Sequence, residues 1–375
     1  MINFWSYSNE LKKVKSDLTK IFNNTLHKGV IFFGDNLNNF EKNFINKYNA
    51  KYGVAVGSGT DALLISLMAI GIRRGDEVIT AANTAIPTIS AIKNSGANPI
   101  LVDINDDYLI NFDDLKKKIT NKTKAIIPVH LYGKPCDMDK LIKISKKNKI
   151  KIIEDCAQAQ GAKYKNNFVG TIGDLGCFSF YPTKILGGYG DGGFITTKNF
   201  KLYSKIKMIR FYGIDTVNKK NKLYNKYYSN INGVNSRLDE VNANILDYKL
   251  NKIDSFIKKR RYIAEIYNKE LKNTSLILPQ YSKDKFDVFH LYTVYHKKRN
   301  LIMKELLKKK IQTRIIYPYP IHKMKAYKKN FKNKKFLKTE IKAKGIFSLP
   351  LYPELEIQNV KKICYNLKKI LSKID

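Results

Sequence analysis

The chain has 375 residues, enough for one large domain and a smaller one, and its 43% hydrophobic and 27% charged content is that of an ordinary globular protein. No run of about 18 apolar residues is present, so a membrane span is excluded. The net charge is +37, yet only eight of the 69 basic residues are Arg, so the guanidinium forks that read guanine are scarce and nucleic acid is not the expected partner.

The positive excess is uneven: residues 201–375 carry 42 basic and 14 acidic groups. Such a field draws in polyanionic small molecules, including nucleoside diphosphates. Met1 to Glu10 lacks the basic and apolar pattern of a secretory signal. The cysteines (Cys136, Cys156, Cys177, Cys364) are scattered, with neither a disulfide framework nor metal-ligand spacing. A cytoplasmic protein without a metal is expected.

Residues 1–50 read as amphipathic helices with a turn at Phe33-Gly34-Asp35. Tyr52 to Val56 is a short apolar strand ending in Gly57-Ser58-Gly59-Thr60-Asp61, with a helix from Ala62 to Ile70. Strands follow at Gly75–Thr80, Pro99–Val102, Lys124–Val129 and Lys151–Glu154, with helices near Thr88–Ser95 and Asp139–Lys147 between them. This alternation predicts an α/β fold with a mostly parallel sheet. Ligands of such sheets bind at the carboxyl ends of the strands. Ser58-Gly59-Thr60, Asp103, His130 and Asp155 fall there. Beyond about residue 235 the texture changes. Leu238–Lys272 reads as one helical region, and strands near Val288–His296 and Gln312–Ile316 join helices near Leu301–Lys309 and Ile357–Ser372. The expected division is a large domain over 1–245 and a small α/β domain over 246–375. The Lys-rich stretch Lys323–Lys344 reads as solvated surface.

Three stretches carry chemistry. Gly57 to Asp61 joins a strand to a helix, so its backbone can bend closely and the helix start offers free amides to a phosphate. Taken alone, that loop is better explained as a plain capped turn. Glu154-Asp155 ends an apolar strand, and Gln158 lies three residues on. Gly176 to Phe180 is a strand rich in aromatics that runs through Tyr181-Pro182-Thr183 into Lys184, followed by five glycines within residues 187–193. A lysine in a tight apolar site loses its proton readily, and the neutral amine forms Schiff bases. A surface lysine in a turn is the plainer alternative. Together, a phosphate loop, an acidic strand end and a lysine suit pyridoxal 5'-phosphate (PLP), whose phosphate, ring nitrogen and aldehyde require amides, a carboxylate and an amine.

In these residues the chain resembles the DegT/StrS family of PLP-dependent sugar-nucleotide aminotransferases. The resemblance runs in order through Ser58 to Leu63, Gly75 to Ile79, Pro128 to Gly133 and Glu154 to Ala159. It continues through Gly173-Asp174, Phe178-Ser179-Phe180, Thr183-Lys184, Gly233 to Asp239, Tyr317 to His322 and Ser348-Leu349-Pro350. It implies the fold-type I aminotransferase fold, a large domain with a central mostly parallel sheet flanked by helices plus a smaller C-terminal α/β domain. It implies that Lys184 holds PLP and then works as base and acid, that Asp155 faces the ring nitrogen and that Gln158 faces the ring's 3-oxygen. Gly59, Thr60 and Ser179 would hold the phosphate. Asn235 would reach the phosphate of a neighbouring subunit, so a homodimer with shared active sites is implied. Arg237, Tyr317 and His322 match positions near the substrate.

The implied reaction takes nitrogen from L-glutamate and gives it to a nucleotide-linked keto-deoxysugar, for amino-sugar and surface-glycan (O-antigen) biosynthesis. The Tyr317–His322 segment and the glycine loop favour amination at C3. Amination at C4, or a non-catalytic PLP-binding regulatory protein, are the alternatives. One departure stands out: after Asn83-Thr84 the family places an aromatic side chain, and this chain has Ala85.

Overall fold

The computed structural model describes residues 1–215 and 227–374. The chain begins with α1 (Ser8–His27) and α2 (Asp35–Tyr48). It continues with β1 (Tyr52–Val56), α3 (Gly59–Ala69), β2 (Glu77–Ala81), α4 (Ile86–Asn94) and β3 (Asn98–Val102). Next come α5 (Phe112–Lys118), β4 (Thr123–Ile126), α6 (Met138–Asn148) and β5 (Lys151–Asp155). A small hairpin, β6 (Lys163–Tyr164) with β7 (Asn167–Phe168), precedes β8 (Leu175–Ser179), β9 (Gly193–Thr197) and α7 (Phe200–Ile209). The remainder holds α8 (Glu240–Leu250), α9 (Ile253–Leu271), β10 (Lys285–Phe286), β11 (Tyr292–Tyr295), α10 (Arg299–Lys308), α11 (Leu337–Gly345), β12 (Ile346–Leu349) and α12 (Ile357–Ile374).

Seven strands form the main sheet in the order β1-β9-β8-β5-β4-β2-β3. Pairing is parallel from β8 across to β3, and β9 alone runs against its neighbours β1 and β8. Strands covered on both faces read as continuous apolar runs, and β8 and β9 are buried at every position. Two core clusters lie against the sheet. On one side, Phe40 and Phe44 of α2 meet the rings of Phe180 and Phe194 at 4.2–5.9 Å. Cutting either back to Ala would cost roughly 3–5 kcal/mol. On the other side lies α3, apolar nearly all round, as a helix enclosed by its neighbours must be. Its start is fixed by Ser58, whose Oγ accepts the Asp61 amide at 3.0 Å.

A third core, in the C-terminal part, draws on α9, β11, α10, β12 and α12 and on Ile2. Ile2 pairs in parallel with Ile311, so the first residues of the chain pack with the last third. The point between residues 245 and 246 lies inside α8. The expected single helix over Leu238–Lys272 is two helices, parted at Asn251-Lys252. The reason is packing: α8 rides on α2 beside the main sheet, and α9 lies against α12. Gln312–Ile316 makes a single bridge, Arg314 to Ser348, rather than a strand. The Lys-rich stretch Lys323–Lys344 also corrects the expectation. It buries Phe331, Phe336, Thr339 and Ala343, so its lysines are the outer face of a packed segment.

Candidate active site

The parallel strands end in one cleft. At the end of β1, the turn into α3 brings Gly59 against Ser179, the last residue of β8. A Cβ on Gly59 would stand 2.5 Å from the Ser179 Cβ, so only glycine permits that approach. Thr60 follows in the first turn of α3, where the helix leaves its opening amides free. The loop is braced from behind by Ser236, whose Oγ accepts the Gly57 amide and donates to Asp61 Oδ2, both at 2.8 Å.

Asp155 closes β5 and is 4% exposed. Its Oδ2 accepts from Thr88 Oγ1 at 2.9 Å and its Oδ1 from the Ala157 amide at 3.1 Å. Burial raises its pKa, while those two hydrogen bonds and the charge of Lys184 pull it down. Gln158 is buried beside it. Its Oε1 accepts from the Tyr132 amide at 2.8 Å and its Nε2 donates to Tyr317 Oη at 2.9 Å. Burial and the charge of Asp155 raise the Tyr317 phenol.

Lys184 follows β8 in a folded loop. Its own amide donates to the Tyr181 carbonyl, and the Gly188 amide donates to the Phe180 carbonyl, both at 2.8 Å. A side chain on Gly187 would meet the Pro182 carbonyl at 2.2 Å, so the loop closes only with glycine there. Burial lowers the Lys184 ammonium to about 8, with Asp155 pulling the other way. Among the described residues its Nζ has no hydrogen bond or ion pair. Next to it, a cavity of about 270 Å³ is lined in part by Thr183, Arg260, His290 and Arg314. Burial and the positive charges of Lys184 and Arg260 push His290 well below the usual histidine range, so it is neutral.

Gly59, Thr60, Asp155, Gln158, Ser179, Lys184 and Tyr317 thus share one cleft. Of the other three sequence candidates, Asn235 and Arg237 flank the Ser236 that braces the Gly57–Asp61 loop, and His322 lies against α11. Asn235 is exposed. Arg237 stacks over the Phe32 ring at 4.6 Å. His322 is 4% exposed, with Nε2 2.9 Å from Glu340 Oε1 and its ring against Phe336. Burial lowers its pKa. Thr88 and Tyr132 were not marked by the sequence. Thr88 has a local signal, a hydroxyl four residues after Thr84 at a helix start, and the two hydroxyls lie 3.1 Å apart. Tyr132 lies in the Pro128–Gly133 stretch of the resemblance, but its contact with Gln158 crosses the fold.

The cleft fits PLP on three counts. The Gly59–Ser179 approach leaves amides and a hydroxyl at a helix start for a phosphate. Asp155 is a buried acid able to face a protonated ring nitrogen, and the half-buried Lys184 offers an amine whose pKa burial lowers and which, among the described residues, has no hydrogen bond or ion pair. Sequence comparison agrees. Residues 12–368 match the DegT/DnrJ/EryC1/StrS aminotransferase family. A dTDP-3-amino-3,6-dideoxy-alpha-D-galactopyranose transaminase of Aneurinibacillus thermoaerophilus is 40% identical over 97% of this chain and 98% of its own. The crystal structure of S. venezuelae DesV superposes with a TM-score of 0.94 at 32% identity, covering 100% of this chain and 99% of that one. NtdA of Bacillus subtilis, solved with bound cofactor PMP, gives a TM-score of 0.91 at 30% identity, covering 99% of this chain and 85% of that one.

Proposed function

This chain belongs to the DegT/DnrJ/EryC1/StrS aminotransferase family and is a PLP-dependent aminotransferase, and from that premise we propose that it moves the amino group of L-glutamate to C3 of a nucleotide-linked keto-deoxysugar. The observation that carries the reading is the Lys184 amine, desolvated and unpaired within electrostatic reach of Asp155. The name of the Aneurinibacillus relative supports C3.

When bound, PLP supplies an aldehyde that condenses with amines and a ring that draws electrons from the amine-bearing carbon. The residues do the rest. Lys184 Nζ would hold the cofactor and, when free, would serve as the proton carrier, for which a pKa lowered toward neutrality is suited. Asp155 favours positive charge on the group against it. Thr88 and the Ala157 amide keep its carboxylate ionised and oriented. The amides of Gly59 and Thr60, with the Ser179 hydroxyl, would take the phosphate, and Gln158, which donates to Tyr317, would face the ring's oxygen. Arg314, in the cavity next to Lys184, suits a carboxylate of the amino donor, while Arg260 beside it is held by the Phe289, His290 and Leu351 carbonyls.

A second copy completes the site. Val30, Ile31, Phe32 and Phe33 are 39–45% exposed, a run of apolar surface that water disfavours. Asn235 pairs through its backbone with Phe211, whose ring lies 5.1 Å from that of Phe33. Asn235 therefore stands at the rim of the strip, placed to cross to a partner. Arg237 flanks the same strip and suits a substrate's phosphates, whereas His322 is already engaged by Glu340. The four cysteines are free and buried, which fits a reducing cytoplasm and synthesis of amino-sugar donors for surface glycans such as O-antigen. The test is to incubate the enzyme with L-glutamate and a nucleotide-linked 3-keto-6-deoxyhexose, then read the product by NMR. Nitrogen at C3 is expected, and nitrogen at C4 from the corresponding 4-keto sugar alone would overturn the assignment. Light scattering should give a dimer mass.

A further inference from the structure

The cavity of about 270 Å³ beside Lys184 holds one group that the reaction above does not use, His290. It lies two residues before β11, and the chain there is pinned. Arg260 Nη1 donates to the His290 carbonyl at 3.1 Å, and a Cβ on Gly133 would stand 2.8 Å from the His290 amide nitrogen. The side chain is therefore aimed by a fixed backbone.

His290 is 7% exposed, and its Nδ1 is sealed from solvent with no hydrogen-bond partner. Buried polar atoms are normally satisfied, so a histidine here costs the fold something that an apolar residue would not. The other ring nitrogen explains the residue. Among the described residues Nε2 is neither sealed nor bonded, so the Nε2 edge of the ring is the one that meets the cavity. The tautomer follows, because a sealed N–H without an acceptor is rarer than a sealed lone pair. The proton sits on Nε2. Burial and the positive charges of Lys184 and Arg260 keep the ring neutral.

The charges around this edge are one-sided. None of the lining residues is an acid. Arg314 bridges to Ser348 through its backbone, and among the described residues its guanidinium has no hydrogen bond or ion pair. The cavity thus offers an N–H and a free guanidinium, and no carboxylate answers them. We propose that His290 is a substrate-binding residue whose Nε2–H, together with the Arg314 guanidinium, takes a carboxylate of the amino donor. This rests on the aminotransferase reading. A neutral N–H suits a cavity used twice: it grips an anion without adding a second full charge that would hold back the keto-acid product. The unsatisfied Nδ1 is the cost of placing that donor there.

The test uses the PLP-loaded enzyme and glutarate, which has two carboxylates and no amine to react. Glutarate should bind by calorimetry. Trp5, the one tryptophan of the chain and a wall of this cavity, should change its emission as the cavity fills. Glutaramide, the uncharged diamide, should bind at least about tenfold more weakly, and His290→Leu should weaken glutarate by a similar factor, the effect of one lost hydrogen bond to a charged group. His290→Gln, whose amide nitrogen reaches the place of Nε2, should restore most of the affinity. The Leu variant should also raise KM for glutamate with kcat little changed. Its Tm should be no lower than that of the wild type, because the sealed Nδ1 is gone. A residue kept only for packing would do the reverse, with a lower Tm and unmoved glutarate affinity, and that result would overturn the proposal. So would glutarate binding that is absent, that glutaramide equals, or that leaves Trp5 emission unchanged. If glutamate gives up no amine while glutarate binding still depends on His290, the aminotransferase reading falls and the carboxylate site stands.

Discussion

Two buried carboxylates, each near a lysine, are arranged in opposite ways. In the cleft, Asp155 has both oxygens engaged, by Thr88 and the Ala157 amide, and the Lys184 amine is left free. Behind Tyr132, Lys134 is engaged by a carbonyl, and the buried Asp287 Oδ1 has no hydrogen-bond partner among the described residues. Burial raises both acids and lowers both lysines. Burial alone therefore does not assign a role. What decides is which member of the pair the fold has left without a partner. A free amine invites covalent chemistry, and a sealed acceptor without a donor costs stability.

The contrast can be broken from either side. The largest effect belongs to Asp155→Asn, which keeps the shape and removes the charge. A fall of about 10²- to 10³-fold in kcat is expected, the scale of losing one electrostatic stabiliser in a dry site. Near-normal turnover would mean that Asp155 is not the residue facing the ring. Thr88→Val should cost less, about tenfold in kcat, because it removes one hydrogen bond to that carboxylate and leaves the acid in place.

Next comes pH. The neutral amine is the form that reacts with an aldehyde, and burial lowers Lys184 to about 8. Reconstitution of the apoenzyme with PLP, followed by absorbance, should quicken with pH and level off around pH 8. A rate still rising above pH 10 would show an ordinary, solvated lysine.

The smallest effect is on stability. Asp287 has a folded pKa raised to about 6, above its unfolded value, so the fold holds this proton more tightly. The stability it lends is fully present below about pH 4 and is lost as pH rises through about 6. Asp287→Asn should therefore stabilise the ligand-free protein by roughly 1–2 kcal/mol at pH 7.5 and by nothing at pH 4, read as Tm. A destabilised variant at pH 7.5 would mean that Asp287 has a donor in solution.

Much of the cleft was legible in the sequence because its parts are local. Ser58-Gly59-Thr60, Glu154-Asp155 and Ser179 through Lys184 each lie at or just beyond a strand end, where the α/β rule directs attention. The departure at Ala85 was visible in the same way, and it is half-buried at the start of α4. Thr88, Tyr132 and the Asp287–Lys134 pair were not legible. Each acquires its meaning from a residue tens of positions away, and Asp287 sits in an unremarkable Lys285-Phe286-Asp287 run. Composition misled at Lys323–Lys344, where abundant lysine hid Phe331 and Phe336. Periodicity misled at Leu238–Lys272, because apolar spacing continues across Asn251-Lys252 although the two helices serve different cores.

The central claim is that one amine among 61 lysines carries the chemistry. Borohydride reduction of the PLP-loaded protein, followed by peptide mapping, tests it most directly. The account predicts a pyridoxyl group on the peptide holding Lys184, and its absence from the Lys184→Ala variant. A label spread over other lysines, or unchanged in that variant, would contradict it.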